Sequence, residues 1–305
     1  MGLKTRIEIT NICGSKCWYC YTDKGNKTMS IDTFTGIIEK LKEIYIKGNY
    51  NRFKLGFSGG DPFINEFILD AHCIVKDIFG EHLDYTYSTV CNSSNMDIVD
   101  KYLNLGKNEN NNTAVYISTN EHPTEDIEYQ IQYLKSRNHR LGIFFLITDY
   151  NIKRLDVIID LIKRYNLVFR FNTLHDCNMI VTPEVHEAVD KIFKNLTIYK
   201  DKHIGKVNPF YSCMNIRNKT TSYCGYGKDY YHFNVDGEVS NCQCEEPITN
   251  YKDPNMEEWI KKETYIKECV DCEVFYLCRG GCFVANKNKN WCELYKQICS
   301  YIKKV

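Results

Sequence analysis

From residue 3 to about residue 200 the chain repeats one pattern: a short run of β-branched and aromatic residues, then a longer stretch with apolar positions at helical spacing. Strands alternating with amphipathic helices are the sequence form of a parallel sheet. Six pairs are present. The strands are predicted at Leu3–Thr10, Phe53–Ser58, Asp84–Val90, Ala114–Thr119, Leu141–Thr148 and Leu167–Thr173, with helices beginning near Ser30, Asn65, Asn95, Glu125, Ile152 and Thr182. Ser30 and Thr182 suit helix N-caps, and Pro183 suits a first helical position. The predicted fold is α/β: a partial (β/α)6 TIM-like barrel over residues 1–205, whose functional groups gather at the carboxyl ends of its strands.

The pattern breaks near residue 205. Gly, Asn, Lys and Tyr become frequent, and ten of the 16 cysteines lie beyond this point, so residues 206–305 read as a small cysteine-rich α+β domain. Tyr231 to Ser240 reads as a hairpin, because Asp236-Gly237 between alternating apolar residues is a tight-turn signal. Short helices are predicted at Glu258 to Tyr265 and Trp291 to Ile302.

Composition narrows the function classes. Lys and Arg total 39 and Asp and Glu total 39, so nothing in the charge favours a polyanion, and nucleic acid is excluded as a partner. No apolar run approaches the roughly 20 residues that span a bilayer, and no signal-like segment precedes the first strand. A cytoplasmic protein with no membrane partner is expected. Sixteen cysteines in such a protein are metal ligands sooner than disulfides, because the cytosol keeps thiols reduced.

Three of them stand at C-x3-C-x2-C in Cys13-Gly-Ser-Lys-Cys17-Trp-Tyr-Cys20, directly behind the first strand. Three thiolates without a close fourth suit a cubane iron–sulfur cluster with one iron left open. Zinc would need a distant fourth ligand, and on this octet alone it stays an alternative. At the end of the second strand, Gly59-Gly60-Asp61-Pro62 permits close backbone approach; it also suits a plain turn into the next helix. Ser118, Thr119 and Asn120 end the fourth strand, where a hydroxyl and an amide can bond a ribose. Asp149, His175 and Asp176 follow strands five and six and read as loop polars or caps as readily as substrate contacts. Cys73, Cys91 and Cys177 read as small buried hydrophobes, and Cys299 as a reserve ligand at best.

The Cys13–Cys20 loop, with Tyr19 in its aromatic slot, resembles the cluster loop of the radical S-adenosylmethionine (SAM) enzymes, and Gly59-Gly60-Asp61-Pro62 resembles that family's Gly-Gly-Glu-Pro stretch with Asp61 for the glutamate. The tail resembles the seven-cysteine SPASM extension: Cys224, twelve residues, Gly237, four residues and Cys242, then Cys269-x2-Cys272-x5-Cys278-x3-Cys282 and, nine residues on, Cys292. What this implies is three [4Fe–4S] clusters and SAM. The first cluster would sit on Cys13, Cys17 and Cys20, with Tyr19 against the adenine, Gly59 to Pro62 at the methionine amine, and Ser118 and Asn120 at the ribose. Cys269, Cys272, Cys278 and Cys292 would hold an outer auxiliary cluster, and Cys224, Cys242 and Cys282 an inner one, its fourth place falling to Cys213, to Cys244 or to substrate. The implied activity is reductive cleavage of SAM and hydrogen abstraction from a peptide or protein side chain, installing a crosslink or an oxidation.

An external one-electron donor of flavodoxin or ferredoxin type is implied as a partner. A first strand at Leu3 leaves no room for an N-terminal leader-gripping domain, so leader recognition is expected from a separate leader-peptide-binding partner or from the barrel mouth. Two other activities fit the resemblance. A sulfatase-maturing oxidase would carry an aspartate base after Cys242, where this chain has Gln243, and an amide takes no proton. A small-molecule radical SAM dehydrogenase is the other. A non-enzymatic metal or electron-transfer protein would have no use for the Gly59–Pro62 stretch.

Overall fold

The computed structural model describes residues 2–90, 95–107, 112–119, 122–173, 181–196, 229–260, 269, 271–278 and 290–303. All six predicted strands are present: β1 (Gly2–Thr10), β2 (Arg52–Gly59), β3 (Leu83–Val90), β4 (Asn112–Ser118), β5 (Leu141–Ile147) and β6 (Val168–Thr173). Between and after them run α1 (Ile31–Lys47), α2 (Phe67–Phe79), α3 (Met96–Lys107), α4 (Thr124–Ser136), α5 (Asp149–Ile152), α6 (Leu155–Tyr165) and α7 (Pro183–Leu196). The tail adds β7 (Tyr230–Phe233), β8 (Glu238–Ser240), β9 (Thr249–Asn250), α8 (Met256–Ile260), α9 (Phe275–Cys278) and α10 (Asn290–Lys303). The fold is α/β and the sheet is not closed. Among the described residues no helix is long and apolar enough to cross a membrane.

The chain divides into two compact units that interleave along the sequence. The first comprises Met1–Ser118, Tyr129–Leu141 and Gly227–Lys262. Its strands run in the order β4-β3-β2-β1-β7-β8-β9, parallel from β4 to β7 and antiparallel from β7 through β9. Leu3, Ile7 and Ile9 of β1 are sealed against the helices, with Phe34, Ile37, Ile38 and Leu41 of α1 filling the same core. Alternate residues Lys4, Arg6, Glu8 and Thr10 lie on the opposite face of the strand. Helix α1 starts where the sequence says: Ser30 Oγ accepts from the Thr33 amide at 3.1 Å, and Lys47 in the last turn suits the dipole.

The hairpin β7–β8 turns through residues 234–237, with Gly237 at φ +78° and Asn234 Oδ1 accepting from the Asp236 and Glu238 amides. It does not stand apart from the strand–helix repeat. Strand β7 pairs in parallel with β1, from Lys4 opposite Tyr230 to Ile7 opposite Phe233.

The second unit comprises Thr119–Glu128, Gly142–Tyr226 and Glu263–Val305. Its strands β5 and β6 pair in parallel. The fifth helix, expected as one piece from Ile152, is broken into α5 and α6. Thr148 Oγ1 caps the Asn151 amide at 3.1 Å and Asn151 Nδ2 donates back to the Leu146 carbonyl at 2.8 Å, which closes a single turn before α6 begins. Helix α10 docks on α7 through polar contacts around Asp190, which accepts from Gln297 Nε2 and Tyr301 Oη at 2.6 Å each, and through Tyr301 stacked on Phe193 at 4.8 Å. The Tyr301 hydroxyl, with Gln297 adding to it, holds the Asp190 carboxyl below the usual carboxylate range. Trp291, Leu294, Ile298 and Cys299 form the buried face of α10.

Candidate functional site

The cysteine loop leaves β1 after Thr10 and returns to it. Asn11 N donates to the Lys27 carbonyl at 3.0 Å, Gly25 N to the Asn11 carbonyl at 3.1 Å and Met29 N to the Ile9 carbonyl at 2.9 Å, so the two ends of the loop are closed by main-chain bonds. Cys13, Cys17 and Cys20 therefore ride on a stem fixed to the carboxyl end of β1. Within the loop, Cys13, Cys17 and Tyr19 are partly buried, Cys20 is exposed, and Tyr19 meets Trp18 edge-to-face at 5.3 Å.

The glycine pair packs on this stem. Gly60 N donates to the Thr10 carbonyl at 2.7 Å and Asp61 N to the Ile12 carbonyl at 2.8 Å. A Cβ on Gly59 would stand 2.0 Å from the Thr10 oxygen, and one on Gly60 would stand 2.1 Å from the Ile12 oxygen, so only glycine permits the contact. Gly59 also sits at φ +116°. The register of β1 on β2 slips between Glu8 and Thr10, a bulge that brings the two strand ends together at this point. Thr22 Oγ1 reaches the Gly59 carbonyl at 3.2 Å from the far side of the loop.

Asp61 is almost fully buried, and burial raises its carboxyl above the usual range. Its two oxygens accept from Phe63 N and Asn95 Nδ2, both at 3.1 Å, so the side chain holds the turn after β2. Pro62 is buried beside it, and Ser118 is buried at the end of β4. Asn120, His175, Asp176, Cys91 and Cys177 lie outside the described residues, as do Cys213, Cys224 and Cys282. Asp149 is exposed in the first turn of α5. Cys73 is exposed as well, contrary to the buried position expected: α2 buries Ile68, Ala71, His72, Val75 and Phe79, and Cys73 falls on its other side. Cys299 is fully buried in the core face of α10.

In the second unit one pocket is lined by Cys269, Cys272, Cys278 and Cys292, with Phe275 and Tyr295 closing it. The first three are set by consecutive turns, Cys272 N donating to the Cys269 carbonyl at 3.0 Å and Phe275 N to the Cys272 carbonyl at 2.9 Å. Cys292 arrives from α10, placed by the docking at Asp190. Among the described residues no three Cys, His, Asp or Glu side chains surround a single-ion position. Four thiols lining one pocket are a donor set that thiolate-binding metals use.

No protein-family description and no curated protein matches the chain. Solved structures do. Native anSMEcpe with bound AdoMet and Cp18Cys peptide superposes with a TM-score of 0.71 at 14% identity, over 100% of this chain and 97% of that one. The same protein with bound AdoMet and Kp18Cys peptide gives 0.72 at 16% identity, covering 98% of that chain. Streptococcus suis SuiB bound to precursor peptide SuiA gives 0.65 at 12% identity, over 93% of this chain and 72% of that one. The chain has the fold of anSMEcpe and SuiB. At these identities the likeness speaks for the fold alone.

Sequence reasoning passed over a second set of polar residues. Arg6 and Glu8 share the polar face of β1; Arg6 Nη1 donates to Gln243 Oε1, and Glu8 meets buried His232 of β7 at 3.2 Å. The signal was present. A parallel strand covered on both faces reads as continuous apolar residues, whereas here Leu3, Ile7 and Ile9 are interleaved with Lys4, Arg6, Glu8 and Thr10.

Proposed function

We propose that this chain is a radical SAM/SPASM enzyme that abstracts a hydrogen atom from a peptide or protein side chain and leaves a crosslink or an oxidation. The observation that carries the reading is the seating of the C-x3-C-x2-C loop on Gly59-Gly60-Asp61 by the two main-chain bonds from Gly60 and Asp61. That arrangement anchors the loop that carries Cys13, Cys17 and Cys20 beside a glycine backbone at the carboxyl ends of β1 and β2, the end at which α/β proteins of this kind hold their ligands.

Cys13, Cys17 and Cys20 would hold the first cluster, leaving one iron for the amino and carboxylate groups of SAM. When bound and reduced, that cluster supplies the electron that cleaves SAM to a 5′-deoxyadenosyl radical. The chain contributes placement and exclusion of water. Gly59, Gly60 and Pro62 would serve the methionine end of SAM, Tyr19 the adenine and Ser118 the ribose, with Asn120 the further ribose candidate that the family resemblance implies. Asp61, bonded to Phe63 and Asn95, acts there by fixing the turn. Cys269, Cys272, Cys278 and Cys292 line one pocket and would hold an auxiliary [4Fe–4S] cluster; a second would draw on Cys224, Cys242 and Cys282, its fourth place falling to Cys213, to Cys244 or to substrate.

Peptides bound in the anSMEcpe and SuiB structures support a peptide substrate for a chain of the same fold. Gln243 accepts a hydrogen bond from Arg6, which favours a structural part for the residue after Cys242 over that of a base. A flavodoxin- or ferredoxin-type donor would supply the electron, and a cytoplasmic setting suits the reduced thiols. The test is anaerobic reconstitution with iron and sulfide, reduction by dithionite, and assay of 5′-deoxyadenosine from SAM. Wild type is expected to form it and Cys13→Ala, Cys17→Ala and Cys20→Ala to form none; equal output from all four would overturn the reading.

A further inference from the structure

Polar contacts tie β1 to the segment that carries Cys242. His232, on β7, has its imidazole between two partners, both within the first unit. Its Nε2 lies 3.2 Å from Glu8 Oε1 and its Nδ1 lies 3.0 Å from Ser240 Oγ. The Glu8 and His232 side chains are only 8% and 6% exposed. Ser240 Oγ in turn donates to the Cys242 carbonyl at 2.8 Å. A serine hydroxyl has one proton, and Cys242 takes it, so Nδ1 of His232 is the donor to Ser240. The Cys242 peptide is held on its other side too, since Gln243 is bonded to Arg6, two residues before Glu8 on the same face of β1. Strand β1 continues directly into the Cys13 loop.

We propose that Glu8, His232 and Ser240 are positioning residues for the Cys242 thiolate, registering it through β1 against the first cluster loop. The inference rests on the reading of Cys242 as a cluster ligand. With Nδ1 donating to Ser240, the Nε2 contact needs a proton shared with the Glu8 carboxyl group, and a buried acid–imidazole pair of this kind is an expensive way to fill space, where apolar residues of the same volume usually serve stability as well or better. What the pair does here that apolar residues do not is fix the direction of one hydroxyl, and through it one peptide carbonyl. The relay carries a preferred orientation from a strand interior to the backbone of a ligand residue, as hydrogen-bonded supports of metal ligands do.

Two near-isosteric substitutions separate the halves of the ring. In His232→Asn the amide nitrogen stands near Nδ1, keeps the bond to Ser240 and loses Glu8. In His232→Gln the amide reaches Glu8 and loses Ser240. These, with Ser240→Ala and Cys242→Ala, are made in the full chain and read in two ways. The first is iron per chain after anaerobic reconstitution. Cys242→Ala, Ser240→Ala and His232→Gln are each expected to lose about a third of the iron, one cluster of three, while His232→Asn retains it. The second needs no metal: alkylation of Cys242 by iodoacetamide in cluster-free protein, followed by peptide mapping, is expected to rise roughly five- to tenfold in Ser240→Ala and His232→Gln, as loss of one restraining hydrogen bond allows, and to stay at the wild-type rate in His232→Asn. Wild-type iron and wild-type alkylation in Ser240→Ala and His232→Gln would overturn the proposal, as would equal losses in His232→Asn and His232→Gln. Full iron in Cys242→Ala would instead strike the ligand reading on which it rests.

Discussion

Replacing Gly60 by alanine tests the seating of the cysteine loop with a single methyl group. The added Cβ would stand 2.1 Å from the Ile12 carbonyl oxygen and 2.6 Å from its carbon, and both are main-chain atoms that cannot swing aside. Relief requires the end of β2 to move from the loop stem by about 1 Å, because real Cβ atoms essentially never approach closer than 3.0 Å. The bonds Gly60 N to Thr10 O and Asp61 N to Ile12 O, at 2.7 and 2.8 Å, would then stretch past hydrogen-bonding range. Two such bonds contribute about 1–3 kcal/mol together. In a chain of this size that is a fall of a few degrees in thermal midpoint for the cluster-free protein, with the fold retained. The larger effect is local. Amide exchange at Asp61 should accelerate about tenfold or more, as about 1.4 kcal/mol of lost protection implies, and 5′-deoxyadenosine formation should fall to background. Unchanged Asp61 exchange together with wild-type turnover would refute the reasoning, since the methyl group would then have found room that the contact denies it.

Further outcomes follow from the second unit. Single alanine substitutions of Cys269, Cys272, Cys278 and Cys292 should each remove the same share of bound iron, measured per chain, because the four line one pocket. Trp291 is fully buried, so Trp291→Ala should destabilise by about 3–5 kcal/mol by urea titration. Asp190 lies below the usual carboxylate range because Tyr301 donates to it, so its share of stability is present above the unfolded carboxyl value and fades as pH falls through the folded one. Tyr301→Phe should therefore flatten the acid limb of stability measured between about pH 2 and 5 and leave the neutral plateau slightly lower.

Local chemistry was legible in the sequence, and pairing across long separations was not. Six strands and the start of α1 at Ser30 follow from period and capping, which act over a few residues. The pairing of β7 with β1 joins residues more than 220 positions apart, and a parallel pair has no turn to announce it. The hairpin was readable for its Asp-Gly turn, and its place beside β1 was not. Gly59 and Gly60 were readable as points of close approach. That their neighbour is the stem of the cysteine loop emerges only when Thr10 and Ile12 are placed. Cys73 was misplaced because a lone cysteine in a helical run carries no facing information beyond its apolar character, and the five buried positions of α2 had already filled the core face. Cys269, Cys272 and Cys278 lie within ten residues, whereas Cys292 comes to the pocket they line from the helix that docks beside them, a meeting that local chemistry does not announce.

The central claim is that thiols near the start of the chain hold a cluster that binds and cleaves SAM. Its most direct measurement is the product of a single anaerobic reaction: reconstituted protein, dithionite and SAM, analysed for 5′-deoxyadenosine and methionine. The account expects both in equal amounts, abolished by Cys17→Ala. Protein that carries zinc in place of iron and sulfide and leaves SAM intact would contradict it.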